Sequence, residues 1–366
     1  MSRTIEALKK FQKLYQDGKI NELADVPEGL RFLLIRSLAR KEYLETIAKD
    51  LEIKNVKTIK GLLEQVYLSA ISSEQIEEIL KKVDGEERST RESKEEALLA
   101  ELFKLRVFDW GGIHENDINK HIIDNYVKKI ANYDQLVDRV ENEILQSLKG
   151  FVLCSWYNNW TSIIIEDLFK SHPKILPTVG KIKQVDFFID RIPFDLKMTY
   201  FPAGFMEDKR QEKGVVRSEL SELKKACKQF NIPIDSTRPQ AELVLDIIAA
   251  LSESSILEVK EFYRTFTERR RQIIEETIQN PKPLLKWLYE KQGAQRFDAS
   301  NRLFLIAIDR NKIEESWKLK RDHPLLKREI NQYLSSRKFT KEELLVRWGV
   351  SGVEYESYAD VLFVLK

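Results

Sequence analysis

The sequence predicts a mixed α/β fold, and three observations carry that expectation. Apolar residues recur at helical spacing through the N-terminal part of the chain, two strand-like runs meet at a short turn near residue 190, and two short apolar runs near residues 302 and 359 read as strands covered on both faces. At the N-terminus, IEALKKFQKLY, LRFLLIRSLA, TIKGLLEQVYL and QIEEILKKV carry the helical period, with turn signals QDGK and VPEG between them. These segments predict a helical domain over residues 1–83. The run DGEERSTRESKEE, residues 84–96, holds no large apolar side chain and reads as a polar linker or an exposed helix start.

Residues 97–366 are expected to form a second domain, since the 366-residue length suggests about two. Further helices precede its core and break at FDWGGIHEND. The core then reads as a helix (156–170), strands at 175–179, 183–189 and 192–200, a long helical stretch (216–291), a strand RLFLIAID (302–309), a helix (323–334) and a strand ADVLFVL (359–365). Trp156 and Trp160, four residues apart, are expected on the buried side of the first of these helices, although such rings can also stack on bases.

The hairpin QVDFFIDRIPFDLKMTYF, residues 184–201, carries the chemistry. With Asp190 and Arg191 as the turn, Asp186 falls opposite Asp195. Lys197 shares their face, while Phe187, Ile189, Phe194 and Leu196 point to the other. Opposed carboxylates lie about 5 Å apart and need compensation, which a divalent cation provides. Mg²⁺ suits an open two-acid site because it keeps water in its shell. The turn lacks the glycine usual in two-residue hairpins, so a slip of one residue is possible, and it would separate the acids.

An acid on one strand followed by acid-x-Lys on the next resembles the PD-(D/E)xK nuclease superfamily, the restriction-endonuclease-like fold. Asp186, Asp195 and Lys197 match its pattern position by position, with Val185 standing where a proline often precedes the first acid. The resemblance implies an αβββαβ core, here with an N-terminal helical domain and a large helical insertion at about 205–298. It implies Mg²⁺, with Mn²⁺ able to substitute, held by Asp186, Asp195 and the backbone carbonyl of Leu196. Lys197 would orient the attacking water. Glu166, on the preceding helix, would bind a second metal or a metal-bound water, and its alternative reading is a helix-surface carboxylate. Gln184 and Thr199 border the site. The implied protein is a DNA endonuclease of restriction or phage-defence type that acts on duplex DNA as a homodimer, with a co-encoded methyltransferase or defence subunit as a possible partner. The alternatives are a nuclease subunit of a larger defence or repair complex and a non-catalytic DNA-binding protein with this fold.

Composition permits such an enzyme without demanding it. Hydrophobic residues make up 42% of the chain, enough for a sizeable core, and a net charge of +2 gives no general pull toward nucleic acid. Neither an apolar run of membrane-spanning length nor a signal-peptide pattern is present, which predicts a cytoplasmic protein. Cys154 and Cys227 lack metal spacing, and the four histidines are scattered. ETIAKDLEIKNVKTIKGLLEQV, residues 45–66, has the outline of a helix-turn-helix with Lys54, Asn55, Lys57 and Lys60 forward, or else of an ordinary helical pair. Residues 1–60 hold 13 Lys and Arg against 9 Asp and Glu, which leans toward DNA without deciding it. ERRRQ at 268–272 reads as a phosphate contact or a solvated face.

Overall fold

The computed structural model describes residues 3–366 apart from 54, 55, 57, 111–117, 237, 239 and 294–299. Six helices lead the chain: α1 (Ile5–Gln16), α2 (Ile20–Ala24), α3 (Pro27–Ser37), α4 (Lys41–Asp50), α5 (Ile59–Leu68) and α6 (Ser73–Glu92). Their starts follow local chemistry. Thr4 and Thr58 accept from backbone N–H groups of the first turn, Pro27 opens α3, and Ser72 with Gln75 forms a capping box on α6. The segment 84–96 is helical over most of its length instead of a linker, and only its last two residues, Glu95 and Glu96, start a new helix. Its first nine residues complete α6, with Asp84 buried, because polar side chains do not stop a helix whose apolar stripe is already anchored by Ile76 and Leu80.

α7 (Glu95–Leu102), α8 (Ile118–Ile122) and α9 (Tyr133–Arg139) lead into α10 (Leu145–Lys170), which begins about three helical turns ahead of the expected 156. Trp160 on α10 is exposed and Trp156 only half-buried. Tyr157 takes the buried position instead, donating its hydroxyl hydrogen to the Trp317 carbonyl at 2.8 Å. β1 (Ile175–Ile182), β2 (Val185–Ile189) and β3 (Ile192–Tyr200) follow as an antiparallel meander. The predicted helical insertion comprises α11 (Ala203–Glu212), α12 (Glu219–Gln229), α13 (Gln240–Glu253), α14 (Leu257–Gln279) and α15 (Lys282–Leu288). β4 (Arg302–Ile308), α16 (His323–Ser336), α17 (Lys341–Leu344), β5 (Leu345–Val350) and β6 (Val353–Leu365) complete the chain.

The sheet is mixed, in the order β1-β2-β3-β4-β6-β5, with β4 parallel to both β3 and β6. β5 was not expected, and β6 starts six residues earlier than the predicted 359. The two pair across a turn in which Ser351 and Gly352 both have positive φ, a hairpin geometry that glycine favours.

Alternation along the strands divides the core. Phe187, Ile189, Phe194, Leu196, Leu303 and Leu305 pack against α10 and α16. On the opposite side, Phe304, Ile306 and Ile308 meet α11, α14 and α15. Leu176, Ile182, Val185 and Phe188 join the hydrophobic cluster of the N-terminal helices, so these helices and the first two strands share one core. Polar contacts fix the helices to one another and to β1. Arg31, 1% exposed, donates to the Val66, Tyr67, Ser69 and Ile71 carbonyls at the end of α5, satisfying groups a helix end leaves unpaired. The Ser37 hydroxyl accepts from the Val179 N–H at 2.8 Å, and Gly180 lies so near α3 that a Cβ there would sit 2.5 Å from the Ser37 carbonyl oxygen.

Candidate active site

The hairpin keeps the expected register: Ile189 pairs with Ile192, Phe188 with Pro193 and Phe187 with Phe194. The slip that the missing glycine allowed does not occur. Asp190 and Arg191 both adopt positive φ, +49° and +69°, the conformation a two-residue turn between twisted strands requires. A residue pair that flanks such a turn exchanges both backbone hydrogen bonds, and the next pair exchanges none. Pro193, which has no N–H, therefore sits where its strand partner asks for none.

The paired ladder stops at Phe187–Phe194, one step before the acids. There the Asp186 side chain replaces a strand: its Oδ2 accepts from the Leu196 N–H at 2.8 Å. The N–H and C=O of one residue leave a strand on the same side, so the Leu196 carbonyl also faces Asp186. The neighbouring Asp195 N–H points the other way and donates to the Asn301 carbonyl at 3.0 Å. Lys197 Nζ lies 2.7 Å from Asp195 Oδ1. The three residues named from sequence thus meet at the splayed end of the hairpin.

Charge accumulates at this point. Burial, with Glu166 and then Asp195 adding repulsion, pushes the Asp186 carboxyl up to about 7, against the opposing pull of the Leu196 N–H and Lys197. Glu166 therefore acts on Asp186 through its field, while its own carboxylate pairs with Lys170 at 2.7 Å, one helical turn on. Lys170 Nζ also donates to the Thr178 carbonyl (2.8 Å), and the Thr178 hydroxyl donates to the Asp186 carbonyl (2.7 Å), tying α10, β1 and β2 together behind the acids. Glu166 and Asp186 line a cavity of about 820 Å³ whose other walls include Arg36, Arg40, Glu87 and Arg91. Much of this charge is spent internally: Arg91 grips Asp167 through two hydrogen bonds of 2.7 and 2.6 Å, and Arg40 pairs with Glu87.

Among the described residues, no group of three His, Cys, Asp or Glu side chains is arranged to hold a metal ion. What the site offers is two acids, a carbonyl turned toward them and a third carboxylate acting at a distance. Gln184 lies in the β1–β2 turn with φ +64°, and the Thr199 hydroxyl is directed to the Tyr200 carbonyl at 3.3 Å. Of the proposed DNA-reading residues, Lys54, Asn55 and Lys57 lie outside the described residues, and Lys60 is exposed in the first turn of α5. The arginine run at 269–271 is largely committed inside the protein: Arg270 pairs with Glu219 and Glu314, and Arg269 with Glu222, because α14 turns that side toward α12.

Two neighbours of the site were not anticipated. Arg302 and Asn301 stand beside Asp195 because β4 pairs with β3, with Asp195 level with Arg302. A charged residue at the head of the apolar run RLFLIAID is the only mark they leave in the sequence. Comparison of the chain with protein-family models, curated proteins and solved structures returns no match. Among the described residues, no helix is long and apolar enough to cross a membrane.

Proposed function

We propose that this protein is a Mg²⁺-dependent DNA endonuclease of restriction or phage-defence type, which hydrolyses phosphodiester bonds at Asp186, Asp195 and Lys197. One observation carries the reading: the two acids and the lysine stand together on adjacent strands, in the register on which the resemblance to PD-(D/E)xK nucleases depends. The mixed sheet, with a helix before the meander and a parallel strand after it, agrees with an αβββαβ core.

The donor set fits Mg²⁺. Burial, with repulsion from Glu166 and Asp195, disfavours the negative charge on Asp186, so the site favours one added positive charge, and Mg²⁺ needs few protein oxygens. Asp186, Asp195 and the Leu196 carbonyl would hold the ion, with Mn²⁺ as a substitute. When bound, the metal polarises the scissile phosphate and acidifies water. Lys197 is half-exposed and aligned with Asp195, so it would orient the attacking water and stabilise the charge that builds on phosphorus. Glu166 would strengthen the negative field at Asp186 or hold a metal-bound water. Because one site cuts one strand, duplex cleavage calls for a homodimer, whose two-fold axis matches that of DNA.

The test is incubation of the purified chain with plasmid and phage DNA, with Mg²⁺, Mn²⁺ or chelator, beside Asp195→Ala and Lys197→Ala. Cutting should require the metal and fall by about a hundredfold or more in both variants. Equal cutting by all three proteins would remove the assignment.

A further inference from the structure

We infer that Arg302 is a positioning residue for Asp195, fixing the carboxylate in the orientation from which it would bind metal; the inference rests on the metal-site reading of Asp195. β4 lies parallel to β3 with Arg302 level with Asp195, and the Asp195 N–H is already tied to the Asn301 carbonyl, so backbone and side chain of Asp195 are met by consecutive residues at the head of β4. Arg302 Nε lies 3.6 Å from Asp195 Oδ2, while Lys197 Nζ lies 2.7 Å from Oδ1. Each carboxylate oxygen therefore faces its own cation.

The two cations differ in freedom. Lys197 is half-exposed on a flexible stem and can turn toward a substrate phosphate. Arg302 is 2% exposed, with its guanidinium 5.2 Å from the centre of the Tyr289 ring. Tyr289 is stacked on Trp348 at 5.0 Å and donates its hydroxyl hydrogen to the Ser300 carbonyl at 2.8 Å. Arg302 is thus buried between packed aromatic rings and the sheet, with less freedom than Lys197. Asn301 anchors the same strand end: its side chain donates to the Pro193 carbonyl at 3.0 Å and accepts from the Tyr358 N–H at 3.0 Å, joining β3, β4 and β6. Groups that orient a ligating side chain are as much a part of a metal site as the ligand itself. Arg302 would set the geometry, and Lys197 would serve the reaction.

The experiment uses the full chain and Mn²⁺ as the probe, reading bound metal by electron paramagnetic resonance at one fixed pH, with circular dichroism to report folding. Arg302→Met should weaken Mn²⁺ binding about tenfold or more, and Arg302→Lys should recover most of that loss, because a point cation replaces a single long contact. In an Asp195→Asn background, Arg302→Met should cause no further loss, which a merely structural role would not predict. Arg302→Gln takes the place of Arg302→Met if the latter does not fold. A folded Arg302→Met or Arg302→Gln that binds Mn²⁺ as tightly as the wild type overturns the inference while leaving the metal site standing. A wild-type chain that binds no Mn²⁺ overturns both.

Discussion

The raised Asp186 carboxyl would make the proposed metal binding a proton-coupled event. With Asp186 at about 7 in the folded, metal-free protein, a cation that ligates the carboxylate must displace a proton whenever the pH lies below that value. About a tenth of the molecules are ionised at pH 6 and about nine-tenths at pH 8, so the apparent affinity for Mg²⁺ or Mn²⁺ should fall about tenfold between pH 8 and pH 6 and about tenfold again by pH 5. Calorimetric titration in two buffers of different ionisation enthalpy counts the protons: about 0.9 released per metal at pH 6 and about 0.1 at pH 8. Glu166→Gln removes the larger of the two carboxylate repulsions and should move the break to lower pH. The same proton governs stability without metal, and the sign is opposite to that of a salt-bridged aspartate. Because the folded-state value lies above the unfolded one, Asp186 contributes stability that is complete below about pH 4 and lost as pH rises through about 7. Asp186→Asn should flatten that slope in chelator. A metal affinity that is level from pH 5 to 8, with no proton release, would refute the reasoning.

Two further substitutions probe how the site is supported. Gly180→Ala places a methyl group against the Ser37 backbone, and since neither α3 nor β1 can yield easily, urea denaturation should show a loss of about 1–3 kcal/mol. Arg191→Gly relieves a side chain held at φ +69° in the hairpin turn and should raise stability by about 1 kcal/mol in thermal unfolding, with metal binding unchanged.

The parts of the site legible in the sequence were those set by local geometry. Asp186, Asp195 and Lys197 come together through the period of two along a strand and a two-residue turn, both of which can be counted along the chain. Arg302 is far from them in sequence, and its place beside Asp195 depends on how the helices α11–α15 return the chain to the sheet, which no local pattern encodes. β5 escaped notice because LVRWGV follows directly on the helical KEEL and carries a glycine, so its alternation is short and interrupted. Trp160 failed the other way: a large ring at helical spacing looks buried, yet α10 presents Tyr157 to the core and leaves Trp160 to solvent. The polar run after residue 84 misled for a related reason, since charge content describes a surface rather than a break in the chain.

The shared core of the N-terminal helices and the hairpin bears on how such a protein can change. Phe187 and Phe188 are consecutive, yet one packs with α10 and the other with the N-terminal helices, and Asp186 precedes them on the same strand. A chain built from exchangeable parts could swap residues 1–83 for an unrelated region and keep the rest of its fold. Here the exchange would strip the cover from Val185 and Phe188 and so disturb the strand that carries the acid. Change in the N-terminal region would therefore have to arise within the existing helices, residue by residue, rather than by recombination of whole segments.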